Sequence, residues 1–336
     1  MKNLLFTIII IFSISCQKDD VVENPYQLSY PAYFPELKYP LDTNPITKAG
    51  FELGKKLFND PRLSIDNSVA CSNCHVKSVA FTDPQHNPSV GVFERSGTRN
   101  APMIANMAFQ PEFLLDGGVS HLDFVPVFAI ENQREMAESL VHVVTKLNKI
   151  DEYRQEFRNA FPNLDTITSP FMLKALSQYM LLLVSDEAKY DHVLQGIAQY
   201  TQDELAGKML FDSKCATCHS GALFTNYGFF NNGLDSSFED FGRAKITESD
   251  SDLGKFKVPS LRNIGRTAPY MHDGRFETLE EVLNHYRFGV KDSPTLAQEL
   301  RTAGQLGIEL SDDEAEKIIL FLNTLTDYEF ISNPIF

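Results

Sequence analysis

Cys71-Ser72-Asn73-Cys74-His75 and its counterpart Cys215-Ala216-Thr217-Cys218-His219 decide how this chain is read. Two cysteines three apart, followed at once by histidine, are the attachment signature of c-type haem. Each thiol adds across a haem vinyl group, and the histidine reaches the iron from one face. A lone Cys-x-x-Cys is often a zinc or thiol-redox site, but structural zinc takes four ligands. The chain has 5 cysteines, and the remaining one, Cys16, stands in another context. A disulfide within each pair would leave both histidines unexplained. The repeated motif therefore implies two covalent haems, held by Cys71, Cys74, Cys215 and Cys218, with His75 and His219 as proximal iron ligands. Two haems on one chain point to electron transfer or redox catalysis.

Toward the N-terminus, Lys2 precedes an apolar run from Leu4 to Ile14 that only Thr7 and Ser13 interrupt. A bilayer span takes about 20 apolar residues, so residues 1–15 read as a signal peptide. Ser13-Ile14-Ser15-Cys16 resembles a lipobox, with serine where leucine is usual, and makes Cys16 the expected lipidation site. Ordinary secretion with Cys16 idle is the alternative. Gln17-Lys18-Asp19-Asp20 is similar to the acidic tag of surface-directed lipoproteins. The expectation is an exported outer-membrane lipoprotein, anchored in lipid through Cys16 and facing the periplasm or the cell surface. Export agrees with the haems, which are attached outside the cytoplasm.

The 336 residues carry a net charge of −15, which argues against nucleic acid as a partner because phosphate backbones demand basic patches. Acidity of this kind suits a basic electron donor. Residues 16–45, punctuated by Pro25, Pro31, Pro35, Pro40 and Pro45, read as a tether and extended lead-in. The remainder reads as mainly α with long loops, notably 76–112 and 220–270. Helices are expected over 46–58, 136–149, 171–184 and 201–211, the last with a Thr201/Glu204 capping box. Ser311 with Glu314 opens a final helix, and Thr278 with Glu281 opens one carrying Leu279, Val282, Leu283 and Tyr286 on a single stripe. Gly54-Lys55-Lys56-Leu57-Phe58 is echoed by Gly207-Lys208-Met209-Leu210-Phe211, and Arg99-Asn100-Ala101-Pro102 by Arg262-Asn263 and Ala268-Pro269. These echoes predict two cytochrome c-like domains, each wrapped around one haem. They would occupy residues 46–195 and 196–336, and the C-terminal tail could pack back on the first.

Leu53-Gly54-Lys55-Lys56-Leu57-Phe58, then Pro61-Arg62-Leu63-Ser64 and the first haem motif, resemble the start of bacterial di-haem cytochrome c peroxidases and their MauG-type relatives. Gly97-Thr98-Arg99-Asn100-Ala101-Pro102, Lys257-Val258-Pro259-Ser260-Leu261-Arg262-Asn263 and Thr267-Ala268-Pro269-Tyr270-Met271-His272-Asp273-Gly274 match in the same order, so the resemblance covers most of 46–326. It implies an N-terminal peroxidatic haem, a C-terminal electron-transfer haem and a calcium ion between the domains. It makes Glu135 the distal acid, a carboxylate that can move a proton between the oxygens of bound peroxide. It places Tyr286 where these proteins carry a methionine or tyrosine ligand of the second iron, with Met271 in the preceding loop as the alternative. His272 is expected to support that haem through hydrogen bonds. Asn100, Thr267 and Pro269 match the calcium ligands, the last two through carbonyls.

Three departures stand out. Leu115 occupies the position of the family's bridging tryptophan, and the chain has no tryptophan at all. Val125 and Ala129 replace a glutamine and a proline, giving an apolar distal pocket. No histidine stands where the resting peroxidatic haem is normally blocked; His86 is the nearest, out of register, so an open first haem is expected. Leu115-Asp116-Gly117-Gly118-Val119-Ser120-His121-Leu122-Asp123 further resembles MauG-like proteins that oxidise tryptophan on a partner. The leading expectation is therefore reduction of hydrogen peroxide with electrons from a small donor protein, a cytochrome c or cupredoxin. The second is peroxide-driven modification of a side chain on a protein substrate. The third, of another class, is an electron-carrier lipoprotein without turnover. A homodimer is left open.

Overall fold

The Gly-Lys-x-Leu-Phe echo marks the same helix crossing built twice. α1 (Lys48–Phe58) precedes the single helical turn α2 (Cys71–Cys74). α3 (Val125–Glu131), α4 (Leu140–Asn148), α5 (Asp151–Ala160) and α6 (Ser169–Leu181) follow, then the short α7 (Lys189–Leu194). α8 (Gln202–Lys214) leads into the second haem motif. Beyond it lie α9 (Ala244–Thr247), α10 (Leu279–Asn284), α11 (Asp312–Asn323) and α12 (Tyr328–Ser332). This is a computed structural model in which residues 26–302 and 304–336 are described. The expected signal peptide and Cys16 lie outside the described residues.

α1 crosses α6 at Gly54, where a Cβ would overlap the Ala175 carbonyl; α8 crosses α11 at Gly207, where a Cβ would overlap the Lys317 carbonyl. In both cases the obstacle is backbone, which cannot swing aside. Gly54→Ala and Gly207→Ala should each destabilise the protein by about 1–3 kcal/mol through overpacking. Urea denaturation of each variant measures this, and an unchanged midpoint would sink the crossing argument.

The helix starts follow from capping. The Thr47 hydroxyl accepts from the Gly50 N–H at 3.0 Å. At α8 the Glu204 N–H donates to Thr201 Oγ1 at 3.2 Å, while the Thr201 N–H donates to Glu204 at 2.7 Å. The same reciprocal pair opens α10 at Thr278/Glu281 and α11 at Ser311/Glu314. These boxes satisfy the first orphan N–H groups of each helix. The helix expected over 136–149 begins only at Leu140. Ala137 adopts φ 51°, which interrupts helical geometry, and Ser139 then caps by accepting from His142 N–H at 3.2 Å. α5 was not expected, although Tyr153, Phe157 and Ala160 lie at helical spacing and are all buried.

One core gathers Phe51 and Leu57 of α1, Tyr153 and Phe157 of α5, and Leu176 and Tyr179 of α6. The other gathers Phe211 of α8, Leu283 of α10, and Ile318 and Phe321 of α11. The lead-in is not free chain over its described part: Phe34 and Tyr39 are buried in the first core, and the Lys38 N–H donates to the Ala108 carbonyl at 2.8 Å. At the far end, Phe330 of α12 packs on Phe81 with ring centres 5.6 Å apart, and Lys77 Nζ donates to the Asn333 carbonyl at 2.9 Å. Among the described residues, named strands form two small antiparallel pairs. β1 (Phe229–Phe230) pairs with β2 (Phe256–Lys257), and β3 (Arg301–Thr302) with β4 (Gln305–Leu306). Among the described residues no helix is long and apolar enough to cross a membrane.

Candidate haem sites

Each motif folds so that Nδ1 of the histidine is bonded back to the loop that follows it. The His75 N–H donates to the Cys71 carbonyl at 2.9 Å, continuing the α2 turn. The chain then reverses through Ala80 and Phe81, both at positive φ, and returns the Phe81 carbonyl to His75 Nδ1 at 2.8 Å. The second site repeats this: His219 N–H to Cys215 carbonyl at 3.0 Å, Phe224 at φ 53°, and its carbonyl 3.0 Å from His219 Nδ1. A carbonyl only accepts, so Nδ1 carries the proton and Nε2 keeps its lone pair, the arrangement by which a second contact orients a metal-binding imidazole. Burial pushes the pKa of both imidazoles down, favouring the neutral form that binds metal. Cys71, Cys74, Cys215 and Cys218 are all unpaired thiols. This donor set fits two c-type haems.

The first site carries an acid. Glu135 sits in the tight turn between α3 and α4. The Val92 N–H donates to the Glu135 carbonyl at 2.7 Å, and a Cβ at Gly91 would overlap that backbone. Only glycine lets the two chains approach so closely there. Burial raises the Glu135 carboxyl from its ordinary value, partly countered by Asn132 Nδ2, which donates to Glu135 Oε1 at 2.7 Å. Burial, and to a smaller degree the Glu135 charge, raises the pKa of both Cys71 and Cys74, so the carboxylate lies within electrostatic reach of the first motif. Val125, at the start of α3, and Ala129 pack against the first core. His86 is exposed, with Nδ1 3.4 Å from Asp83 Oδ2. His121 accepts from the Asp123 N–H at 3.2 Å and lies 5.3 Å, centre to centre, from the Tyr39 ring.

A partly buried ion pair that the sequence did not reveal supports this turn. Glu138 sits 3.0 Å from Lys146 Nζ, and that ammonium also donates to the Ser64 carbonyl at 2.7 Å. The Ile65 N–H donates to the Met136 carbonyl at 3.0 Å. The segment leading into the first haem motif is thereby tied to the Glu135 turn. Lys146 lies eight residues along from Glu138, across a helix cap, so no spacing rule announces the pair.

The second site carries candidate ligands, and the acids nearest its cysteines, Asp212 and Glu299, are exposed. α10 passes into a π-helical turn, His285–Gly289, that holds Tyr286. Such turns are rare and gather at functional sites. Burial pushes the Tyr286 phenol up to about 12 and Asn232 lowers it; Cys215 and Cys218 lie within electrostatic reach of the phenol. Met271, at φ 76°, reaches the same neighbourhood, and its sulfur accepts from Asn232 Nδ2 at 3.3 Å. His272 stacks on Phe256 with ring centres 4.0 Å apart, and its backbone carbonyl accepts from Asn100 N–H at 2.8 Å.

Between the sites runs a polar seam. Asn100 Nδ2 lies 2.6 Å from the Pro269 carbonyl and 3.5 Å from that of Met271, while the Thr267 hydroxyl turns to Ile264 at 3.5 Å. The neutral oxygens around Asn100 are of the kind calcium accepts. Arg99 bridges Asp116 and Asp240, each at 2.6 Å. The Leu115 carbonyl accepts from the Lys257 N–H at 2.8 Å, which sets Leu115 on the seam. Lys257 itself is buried; burial pushes its ammonium down to about 8 despite Glu112 and Asp116, and Nζ donates to the Glu112 carbonyl at 2.6 Å.

Comparison with known proteins agrees with this geometry. Residues 48–199 match the family described as di-haem cytochrome c peroxidase, and residues 205–326 match cytochrome c. The methylamine utilization protein MauG of Methylorubrum extorquens is 35% identical over 287 residues, spanning 84% of this chain and 79% of that protein. Cytochrome c551 peroxidase of Nitrosomonas europaea is 34% identical over 283 residues, spanning 82% and 79%. Among solved structures, a MauG-like protein associated with microbial copper homeostasis superposes with a TM-score of 0.84 at 30% identity, covering 93% of this chain and 98% of that one. The chain belongs to the di-haem cytochrome c peroxidase and MauG family, with a mainly α fold of two cytochrome c units and two c-type haems.

Proposed function

We propose that this protein is a di-haem peroxidase that reduces hydrogen peroxide to water with electrons from a small redox protein. The observation that carries this reading is the asymmetry of the two motifs. The first has a half-buried carboxylic acid near it, raised by burial, whereas the acids near the second, Asp212 and Glu299, are exposed and its buried neighbours are a phenol and a thioether. A carrier needs no acid; a peroxidase does. When bound, the haems would supply peroxide cleavage at the first site and storage of an oxidising equivalent at the second. Glu135 accepts a proton from one peroxide oxygen and returns it to the other, so that water departs. Asn132 holds that carboxylate in place. The overall balance is one peroxide, two protons and two electrons to two waters.

His75 and His219 serve as proximal ligands, and Tyr286 as the sixth ligand of the second iron with Met271 as its rival. Phenolate ligation lowers the potential relative to methionine. Asn100, with the carbonyls of Thr267 and Pro269, is assigned to a calcium ion. The two units are assigned to residues 46–195 and 196–336, and the protein to the outer membrane as a lipoprotein anchored through Cys16. A net charge of −15 suits a basic donor such as a cytochrome c or cupredoxin.

A second reading, use of peroxide to oxidise a side chain on a partner protein, is favoured by Leu115 on the seam and by the absence of tryptophan. The resemblance to a MauG-like structure supports it. Stopped-flow visible and near-infrared spectroscopy of the fully oxidised, haem-loaded protein with one equivalent of peroxide tests both readings. A fast Soret change with a persistent near-infrared band supports MauG-like use. Reaction only after one haem is reduced supports the donor-driven cycle. No reaction in either state overturns the enzymatic reading and leaves an electron carrier.

A further inference from the structure

We infer that the segment from α12 onward positions the proximal histidine of the first site by gripping the turn that follows it; this rests on the assignment of His75 as that ligand. The turn ends on the Phe81 carbonyl, which meets His75 Nδ1 at 2.8 Å. It is a strained turn. Ala80 and Phe81 stand at φ 56° and 60°, a left-handed pair without glycine. Such geometry persists only where the surroundings impose it. The Phe81 N–H donates to the Val76 carbonyl at 2.9 Å, and the Ala80 N–H to the Lys77 carbonyl at 3.0 Å. Those bonds close the turn on itself; packing of the Phe81 ring fixes where it sits. That ring lies 6.2 Å from Phe58, 6.5 Å from Tyr179 and 5.6 Å from Phe330, centre to centre. Phe330, 2% exposed, is the nearest of the three and comes from the far end of the chain.

The same segment grips the start of the turn. Lys77 Nζ donates to the Asn333 carbonyl at 2.9 Å and to that of Phe336 at 3.4 Å, and Lys55 of α1 donates to the Ile335 carbonyl. α12 is itself anchored away from the turn. Asp327, 1% exposed, accepts from the Phe330 N–H at 2.8 Å on one oxygen, and from Ser185 Oγ and the Glu187 N–H at 3.0 Å each on the other. Its own N–H donates to Asn263 Oδ1 at 2.8 Å. A carbonyl that accepts from Nδ1–H fixes the imidazole and makes Nε2 a stronger donor to metal. A Phe81 carbonyl that drifts therefore weakens the bond to iron and raises the potential. The second site supplies the comparison. Phe224, whose carbonyl meets His219, packs on Tyr190, Phe211 and Phe321, none of which belongs to this segment. Phe330 acts through Phe81 and His75, so it is a positioning residue.

Phe330→Ala removes the ring, Phe330→Leu keeps apolar bulk, and Lys77→Met removes only the ammonium. The experiment compares these haem-loaded variants with wild type by resonance Raman spectroscopy of the ferrous protein and by redox titration, with urea denaturation alongside. In Phe330→Ala we expect the iron–histidine stretch of the first haem to move to lower frequency and its potential to rise, while the second haem keeps its potential. Lys77→Met moves both quantities in the same direction by less, and Phe330→Leu restores most of the wild-type values. A lower urea midpoint with the stretch and both potentials unchanged overturns the positioning role and leaves Phe330 a packing residue. Equal shifts at the two haems overturn it as well, because the grip is on the first turn alone. His75→Gly separates the assignment from the inference: the stretch vanishes there when His75 is the ligand, and a stretch that persists overturns that assignment and the positioning role with it. Lys77→Met, which leaves the core intact, decides by the same readouts should Phe330→Ala load haem poorly.

Discussion

Glu135→Gln lowers peroxide turnover by about two to four powers of ten while both haems stay attached and their proximal ligation is unchanged. That loss corresponds to roughly 3–5 kcal/mol of transition-state stabilisation. The amide is nearly isosteric and can still bond Asn132, so the turn keeps its shape; what it loses is a group that can take and return a proton. Burial raises the Glu135 carboxyl above its ordinary value of 4.5. The sign of the pH effect follows. Glu135 must be ionised to accept the first proton, so kcat/KM falls as pH drops through this raised value, and the acidic limb lies above 4.5. The glutamine variant should show a low rate without that limb. Steady-state kinetics across pH on both proteins decide the point: equal turnover would remove Glu135 from the mechanism.

Arg262→Ala should cost about 3–5 kcal/mol of stability, because it strands a buried charge. Arg262 is 1% exposed, and its Nη1 and Nη2 donate to the two oxygens of Asp191 at 2.7 and 2.8 Å. Its Nε donates to the Ala222 carbonyl at 2.9 Å, just beyond the second haem motif. Phe34 of the lead-in stacks 4.8 Å from the guanidinium, and Tyr33 donates to Asp191 at 2.9 Å. One ion pair therefore joins the lead-in, α7 and the loop that returns to the second haem. Breaking one partner is costly, whereas replacing both with apolar side chains of similar volume is far less so. Urea denaturation of Arg262→Ala and of Arg262→Met/Asp191→Leu measures the difference. A double variant as damaged as the single one would show that packing, and not the stranded charge, is responsible.

The haem motifs were legible because covalent attachment demands fixed local spacing, and Cys-x-x-Cys-His is short enough to be written in five consecutive residues. The capping boxes at Thr201, Thr278 and Ser311 were legible for the same reason: their partners are three residues apart. The repeated Gly-Lys-x-Leu-Phe announced a repeat but not its purpose. Only the crossings of α1 with α6 and α8 with α11 show that Gly54 and Gly207 let two helix backbones touch. The start of α4 was misplaced because apolar periodicity runs on through Met136 and Ala137, whereas the left-handed backbone at Ala137 ends helical geometry there. α5 was missed although its buried positions recur at helical spacing.

By itself, then, the sequence determined the two haem attachments, their histidines and a mainly helical chain, all matters of local spacing. Only the tertiary structure decided the rest. Glu135 comes near the first motif 60 residues earlier in the chain, Lys146 clamps its turn through Glu138 and Ser64, and Asn232 meets Met271 39 residues later. Those meetings depend on how distant segments pack, and contacts between distant segments leave no period or spacing in the chain from which they could be read.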